Sequence, residues 1–183
     1  MRPVDAYLAL LGAVALERGA EMVLSARNLR RAKARGGRES GHALYPIMVI
    51  FHAALLPALA AGALLRPSPP SPLAWLAVAG VFLAQGLRWW AVASLGDRWN
   101  TRVVVVPAEP PVTRGPYAVL RHPNYLAVVL EVACLPLAFG LWKLAIAFSL
   151  GNALLLWARI RDEERALGPQ WERAFSRKRR FVP

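Results

Sequence analysis

The side chains able to do chemistry in this 183-residue chain crowd into one stretch, Asn100 to Tyr125. Val112-Thr113-Arg114-Gly115-Pro116-Tyr117 is followed closely by Leu120-Arg121-His122-Pro123-Asn124-Tyr125. Arginine orients anions, tyrosine offers a hydroxyl, and histidine exchanges protons near neutral pH. Pro123 suits the first turn of a helix, where its missing N–H costs nothing, and it holds His122 in an extended or capping conformation. Three residues apart, His122 and Tyr125 then project to neighbouring positions at that helix start. The free N–H groups there can receive a carboxylate or another anion. The plainer reading of Arg114, Arg121, Tyr117 and Tyr125 is a belt at a membrane boundary. One cysteine, Cys134, excludes an intrachain disulfide framework, and with three histidines it leaves little material for a metal cage, so no metal is expected.

The elements that must hold this stretch are apolar. Apolar residues make up 56% of the chain and charged residues 19%, with positive mean hydropathy (+0.35), which excludes a disordered polar chain. Ala43 to Leu65 is 23 residues without Asp, Glu, Lys or Arg, and at about 1.5 Å per residue it crosses a hydrocarbon core of about 30 Å. Leu73 to Ala93 is a second span, interrupted only by Arg88, and the proline cluster from Arg66 to Pro72 breaks the helix between the two. Ala6 to Leu24 is long enough to span, but Glu17, Arg18 and Glu21 require protein or water on that side rather than lipid. Tyr125 to Gly140 and Leu141 to Ala158 read as a tight helical hairpin, the first run short and Pro-containing. Val103 to Val106 is too short to span and suits a strand or extended loop. The expected fold is an all-α integral membrane protein of about five transmembrane helices. It forms a single domain over 1–183, with three helices in 1–95 and the motif region and tail in 96–183.

The formal net charge of +12 follows that topology. Ser25 to Gly41, Leu95 to Arg121 and Arg159 to Pro183 together hold 18 of the 23 Lys and Arg residues. The positive-inside rule places these three segments in the cytoplasm and the N-terminus outside. Their expected partners are anionic lipid headgroups, and no nucleic acid, because no basic stripe interleaved with aromatics sits on a soluble module. A cleaved signal peptide is not expected, since acidic residues follow the first apolar run.

The ordered string Arg114-Gly115-Pro116-Tyr117, Arg121-His122-Pro123-Asn124-Tyr125, a hydrophobic hairpin, then Arg159 to Leu167 resembles the isoprenylcysteine carboxyl methyltransferase family and its phospholipid methyltransferase relatives. The likeness covers about Asn100 to Pro183. Arg35-Gly36-Gly37-Arg38-Glu39 with His42, Tyr45-Pro46 and His52 looks like a bacterial subgroup associated with long-chain polyketide phenols and pyrones. That subgroup implies a bacterial inner membrane. After Glu163-Glu164 the tail is shorter than usual for the family, with Gly168-Pro169 coming almost at once, then Trp171, Phe175 and the basic cluster Arg177 to Arg180. That cluster can bind anionic lipid at about 1 kcal/mol per residue.

The resemblance implies S-adenosylmethionine as methyl donor, held at the cytoplasmic ends of the last two helices by His122, Pro123, Tyr125, Glu163, Glu164 and Leu167. Physical chemistry agrees: carboxylates suit the donor's cationic part, His122 its carboxylate, and Tyr125 with Leu167 its adenine. The plain alternative for Glu163 and Glu164 is a solvated acidic turn paired with Arg159, Arg161 or Arg165. Methyl transfer is an in-line displacement that needs positioning, and no covalent enzyme nucleophile. Arg114 and Arg121 are candidates to orient an anionic acceptor and Tyr117 to hydrogen-bond it. His122 or Glu131 are the candidate bases for a neutral one. Glu131 is equally read as an intramembrane ion-pair partner of Arg88. His52 is read as a hydrogen-bonded helix contact and Cys134 as a small buried residue. The expected function is methylation of a carboxylate, phenol or enol oxygen on a lipophilic, membrane-resident acceptor, prenylcysteine-like or long-chain polyketide. The alternatives are N-methylation of phospholipid amines and a non-catalytic membrane scaffold.

Overall fold

The computed structural model describes residues 2–41, 43–65 and 72–181. His42 and the proline cluster at 66–71 lie outside these residues. The order is α1 (Pro3–Ala34), β1 (Arg38–Ser40), α2 (Leu44–Leu65), α3 (Pro72–Leu95), a 3-10 turn (Gly96–Arg98), β2 (Val103–Val105), a second 3-10 turn (Gly115–Ala118), α4 (Pro123–Leu137) and α5 (Trp142–Phe175).

The helices follow the apolar runs, but two extend beyond them. α1 continues ten residues past Leu24 through the basic segment, because Arg, Lys and Ala are good helix formers and nothing interrupts until Gly36-Gly37. That extension is pinned: Asn28 Nδ2 donates to the Trp99 carbonyl at 2.8 Å, and Ser25 Oγ to Asn100 Oδ1 at 2.8 Å. α5 likewise continues past Ala158 to Phe175. α2, α3 and α5 are long and apolar enough to cross a membrane. α1 carries charge along its second half, and α4, with 15 residues, reaches only about 22 Å, so neither qualifies on length and composition alone.

α3 makes its most extensive contact with α4, and α4 packs on α5 across the short connection Ala138 to Leu141. The core between α1, α2, α3 and α4 holds Tyr7, Leu11, Leu55, Leu59, Val81 and Leu135, all buried. Tyr7 stacks on Phe139 with ring centroids 4.7 Å apart and donates to the Leu135 carbonyl at 2.9 Å. Trp75, Phe82, Leu83, Leu154 and Trp157 instead face outward, as a lipid-facing surface requires. His52 joins α2 to α5, its Nδ1 donating to the Met48 carbonyl at 2.8 Å and its Nε2 lying 3.2 Å from Asn152 Oδ1.

α3 and α4 pack tightly at Gly80, where an added Cβ would sit 2.6 Å from Cys134 Sγ. Gly80→Val is therefore expected to cost about 1–3 kcal/mol by overpacking, read as a lower melting temperature in detergent. An unchanged melting temperature would show that the two helices separate without cost.

β1 and β2 form a two-stranded antiparallel ribbon, pairing Arg38 with Val105 and Ser40 with Val103. Val103 to Val105 is thus a strand, and its partner is the linker between α1 and α2. The ribbon, the end of α1 and the tail gather the three basic segments at one end of the bundle.

Candidate functional site

His122 caps α4 with φ −131° and ψ 61°, neither helical nor extended, and Pro123 takes the first helical position. α5 then supplies the opposite wall because its helix runs on beyond the apolar part, bringing Arg159, Glu163 and Leu167 to one face at spacings of four. The two stretches meet. His122 Nε2 donates to Glu164 Oε1 at 3.1 Å, the Tyr125 hydroxyl donates to Glu163 Oε2, and Arg159 Nε donates to the Tyr125 oxygen at 3.1 Å. Arg159 Nη2 also donates to the Thr101 carbonyl at 2.7 Å, tying α5 to the loop before β2.

Gly168 breaks α5 with φ 72° and ψ −170°, a conformation open essentially to glycine alone. The chain turns there so that Pro169 to Phe175 lies across the start of α4. Trp171 stands 5.4 Å from His122 and stacks on Phe175 at 4.8 Å between ring centroids, while His122 stacks on Tyr125 at 5.2 Å. The tail is fixed by backbone: Arg121 N donates to Arg179 O at 2.9 Å and His122 N to Arg180 O at 3.4 Å. Arg180 closes the arrangement with two hydrogen bonds to Glu164, at 2.6 and 3.0 Å.

These walls bound a cavity of about 750 Å³ that runs from the basic end into the bundle. Tyr117, Arg121, His122, Tyr125, Glu131, Glu163 and Leu167 all line it. Arg114, Pro123 and Glu164 do not. Arg114 Nε is spent on the Ser94 carbonyl at 3.2 Å, so it does not join Arg121 in an anion clamp. Arg121 donates to the carbonyls of Lys178 at 2.6 Å and Ser176 at 3.3 Å, which makes it a tail anchor. Pro123 shapes the helix start, and Glu164 bonds His122 from behind. Glu163 and Glu164 are therefore not a solvated turn. Trp171 and Phe175, which the sequence offers only as aromatics of the shortened tail, both line the cavity, and their spacing of four places them on one helical face. The sequence reading missed Asn124, whose buried Oδ1 has no hydrogen-bond partner among the described residues.

The inner part of the cavity is lined by charge. Arg88 Nη2 donates to Glu131 Oε2 at 2.5 Å, Arg18 Nη1 lies 2.8 Å from Glu21 Oε2 and 3.8 Å from Glu131 Oε2, and Arg18 also pairs with Glu17 at 3.3 Å. Glu131 is thus the ion-pair partner of Arg88 while still facing the cavity. Glu21, Arg88 and Glu131 are each at most 6% exposed.

At the basic end, burial and the charge of Glu163 push the Tyr117 hydroxyl above its ordinary range. For Glu164 burial works toward the neutral form, but the hydrogen bonds from Arg180 and His122 outweigh it and hold the carboxyl below its usual range. The tail latch therefore contributes stability above the ordinary carboxylate range and is lost as pH falls through the lowered value. Hydrogen exchange at the Arg121 and His122 amides, corrected for intrinsic rate, should accelerate over that acid window, and Glu164→Gln should produce the same acceleration at neutral pH. Exchange independent of both would show that the latch does not hold the tail.

The model of the isoprenylcysteine carboxyl methyltransferase family matches residues 75–169, a range that takes in both motif stretches. The chain is also 39% identical over 159 residues to the uncharacterized protein YpbQ of Bacillus subtilis (strain 168), covering 86% of this chain and 94% of that protein. With lipid-facing helices, two convergent motifs and this match, the chain belongs to the isoprenylcysteine carboxyl methyltransferase family and is a membrane methyltransferase.

Proposed function

We propose that the protein transfers a methyl group from S-adenosylmethionine to an oxygen of a lipophilic acceptor drawn from the bilayer. The observation that carries this reading is the convergence of His122 and Tyr125 with Glu163 on the wall of one deep cavity, with Glu164 bonding His122 from behind. The lining fits the donor's chemistry. Glu163 presents a carboxylate to its cationic groups, and Trp171, Phe175 and Leu167 offer apolar and aromatic surface to adenine and sulfonium. Bound there, S-adenosylmethionine supplies an electrophilic methyl group on a sulfonium sulfur.

The chain's own residues orient and exclude water. Tyr125 and Arg159 fix Glu163 in place, and Glu164 fixes the His122 ring and its tautomer. Trp171 and Phe175 cover the site against the aqueous side. The acceptor path is supported by Met22 on α1 and Val49 on α2, both outwardly exposed and both on the cavity lining. We place all five helices across the membrane, with the N-terminus outside and the basic segments and C-terminus in the cytoplasm, in a bacterial inner membrane. The basic loops and tail contact anionic lipid.

Titration calorimetry with S-adenosylmethionine in detergent tests the reading. Saturable binding is expected, with at least tenfold weaker binding in His122→Ala and Glu163→Ala. Incubation of labelled donor with the source organism's lipids is then expected to place label in base-labile ester or stable ether. Absence of binding to folded protein would end the proposal, and label in amines alone would move it to phospholipid N-methylation.

A further inference from the structure

Arg159 can hold Tyr125 and Glu163 only if something holds Arg159, and its shorter hydrogen bond runs to a carbonyl in an irregular loop. Nη2 donates to the Thr101 carbonyl at 2.7 Å, between the first 3-10 turn and β2. Such a carbonyl is no steadier than the loop that carries it. Here the loop is held by a chain of hydroxyls whose directions follow from counting protons. The Arg102 amide donates to Asn100 Oδ1 at 3.0 Å and Asn100 Nδ2 donates to the Ser25 carbonyl at 3.2 Å, so backbone groups fix the orientation of that side-chain amide. Oδ1 only accepts, and the single Ser25 hydroxyl proton goes to it at 2.8 Å. Ser25 Oγ therefore accepts from Thr101 twice, from its amide at 3.0 Å and its hydroxyl at 2.8 Å. With the Thr101 proton committed, the Tyr45 hydroxyl donates to Thr101 Oγ1 at 3.1 Å.

One threonine thus joins α1, α2 and α5 to the loop before β2. Its amide and hydroxyl grip Ser25, its Oγ1 takes the proton of Tyr45 in the first turn of α2, and its carbonyl takes Arg159. Tyr45 is held in turn by the Arg102 guanidinium, which lies 4.2 Å from its ring centroid and bonds Glu39 of β1 at 2.5 Å. Beyond Arg159 the contacts continue to the Tyr125 oxygen at 3.1 Å and from its hydroxyl to Glu163, whose Oε2 also lies 4.0 Å from Arg159 Nε. Ser25 and Arg159 are each 4% exposed, so water is a poor substitute for these partners. We propose that Thr101 is a positioning residue for S-adenosylmethionine, acting through Arg159 and Tyr125 to aim the Glu163 carboxylate at the cationic part of the methyl donor. The inference rests on the methyl-transfer reading and adds to it the residue that steadies its carboxylate. A binding group must be held to within about 0.5 Å, and its supporting contacts supply that precision. Without the Thr101 hydroxyl, Tyr45 keeps a proton with no acceptor, Ser25 loses one of its two donors, and the loop carbonyl under Arg159 is free to shift.

Titration calorimetry of the whole chain in detergent, with S-adenosylmethionine as the probe, tests this. Thr101→Val keeps the shape and the carbonyl and removes the hydroxyl, so affinity should fall about tenfold, the worth of one hydrogen bond whose partner is left unpaired. Thr101→Ser keeps the hydroxyl and should stay within about twofold of the wild type. The deciding comparison uses Glu163→Gln as the background. A residue that acts through Glu163 then has no carboxylate left to aim, and adding Thr101→Val should change affinity by less than about twofold. Equal losses in both backgrounds would mark a general structural role or a direct contact. Unchanged affinity in Thr101→Val, or a serine variant as weak as the valine one, would show that the hydroxyl holds nothing at the site. Each of these results overturns the proposal. Should the valine variant fail to fold, Tyr45→Phe carries the same comparison, since it keeps the ring beside Arg102 and removes only the proton given to Thr101. Its expected loss is about threefold and confined to protein that retains Glu163, and no loss, or the same loss in both backgrounds, overturns the proposal there too. Saturable wild-type binding indifferent to these changes would fell this inference alone, whereas no binding to folded wild-type protein would fell the methyl-transfer reading itself.

Discussion

Arg88→Met is expected to cost about 3–5 kcal/mol of stability, the usual penalty for removing one partner of a buried ion pair. Arg88 is 5% exposed and stands between Glu131, at 2.5 Å, and Glu21, at 3.8 Å. Its removal leaves those carboxylates with Arg18 alone, which is already shared with Glu17. The sign differs for the carboxylates, because Glu131→Gln takes away charge that the network holds in excess and should be far milder. Adding Glu131→Gln to Arg88→Met should recover part of the loss, a coupling that a double-mutant cycle in detergent measures through melting temperatures. Additive effects, or an Arg88→Met protein that melts like its parent, would show that water reaches the network and screens it.

Phe175→Ala is expected to remove about 3–5 kcal/mol of packing from the tail while sparing the bundle. Phe175 is 1% exposed, stacks on Trp171 and lies beneath the Lys178 ammonium, 4.6 Å from its ring centroid. Its contacts are with Ala91, Tyr117 and Trp171 in a cluster separate from the main core. The variant should therefore keep most of its melting temperature and lose donor affinity by at least tenfold, together with protection of the Arg121 and His122 amides. Loss of global stability with donor binding intact would place Phe175 in the structural core and remove the tail from the site.

The apolar runs announced the helices because charge-free stretches of that length have few other homes. They did not announce where α1 and α5 stop, since those ends are polar helices held by contacts distant in sequence, such as Asn28 with Trp99 and Arg159 with Thr101. His122, Tyr125 and Glu163, which line one cavity, were legible as candidates because motif order survives in the linear chain. Arg114 lies off the cavity for the complementary reason: an arginine's type says it binds an acceptor atom, but only the fold says that its Nε meets the Ser94 carbonyl. Trp171 and Phe175 depend on the turn at Gly168, whose direction no local pattern encodes. Glu21 was read as a residue that avoids lipid, and its pairing with Arg88 required α1 and α3 to be neighbours.

The corner at Gly168-Pro169 combines a residue that alone tolerates the angle with one whose ring locks the next φ. Such a corner is stiff in both directions and behaves as a bracket more than a hinge. The aromatic wall then stands before any ligand arrives, and little ordering entropy is left to be lost on association. Stopped-flow binding should accordingly show one phase, linear in ligand concentration, with no slow isomerisation behind it.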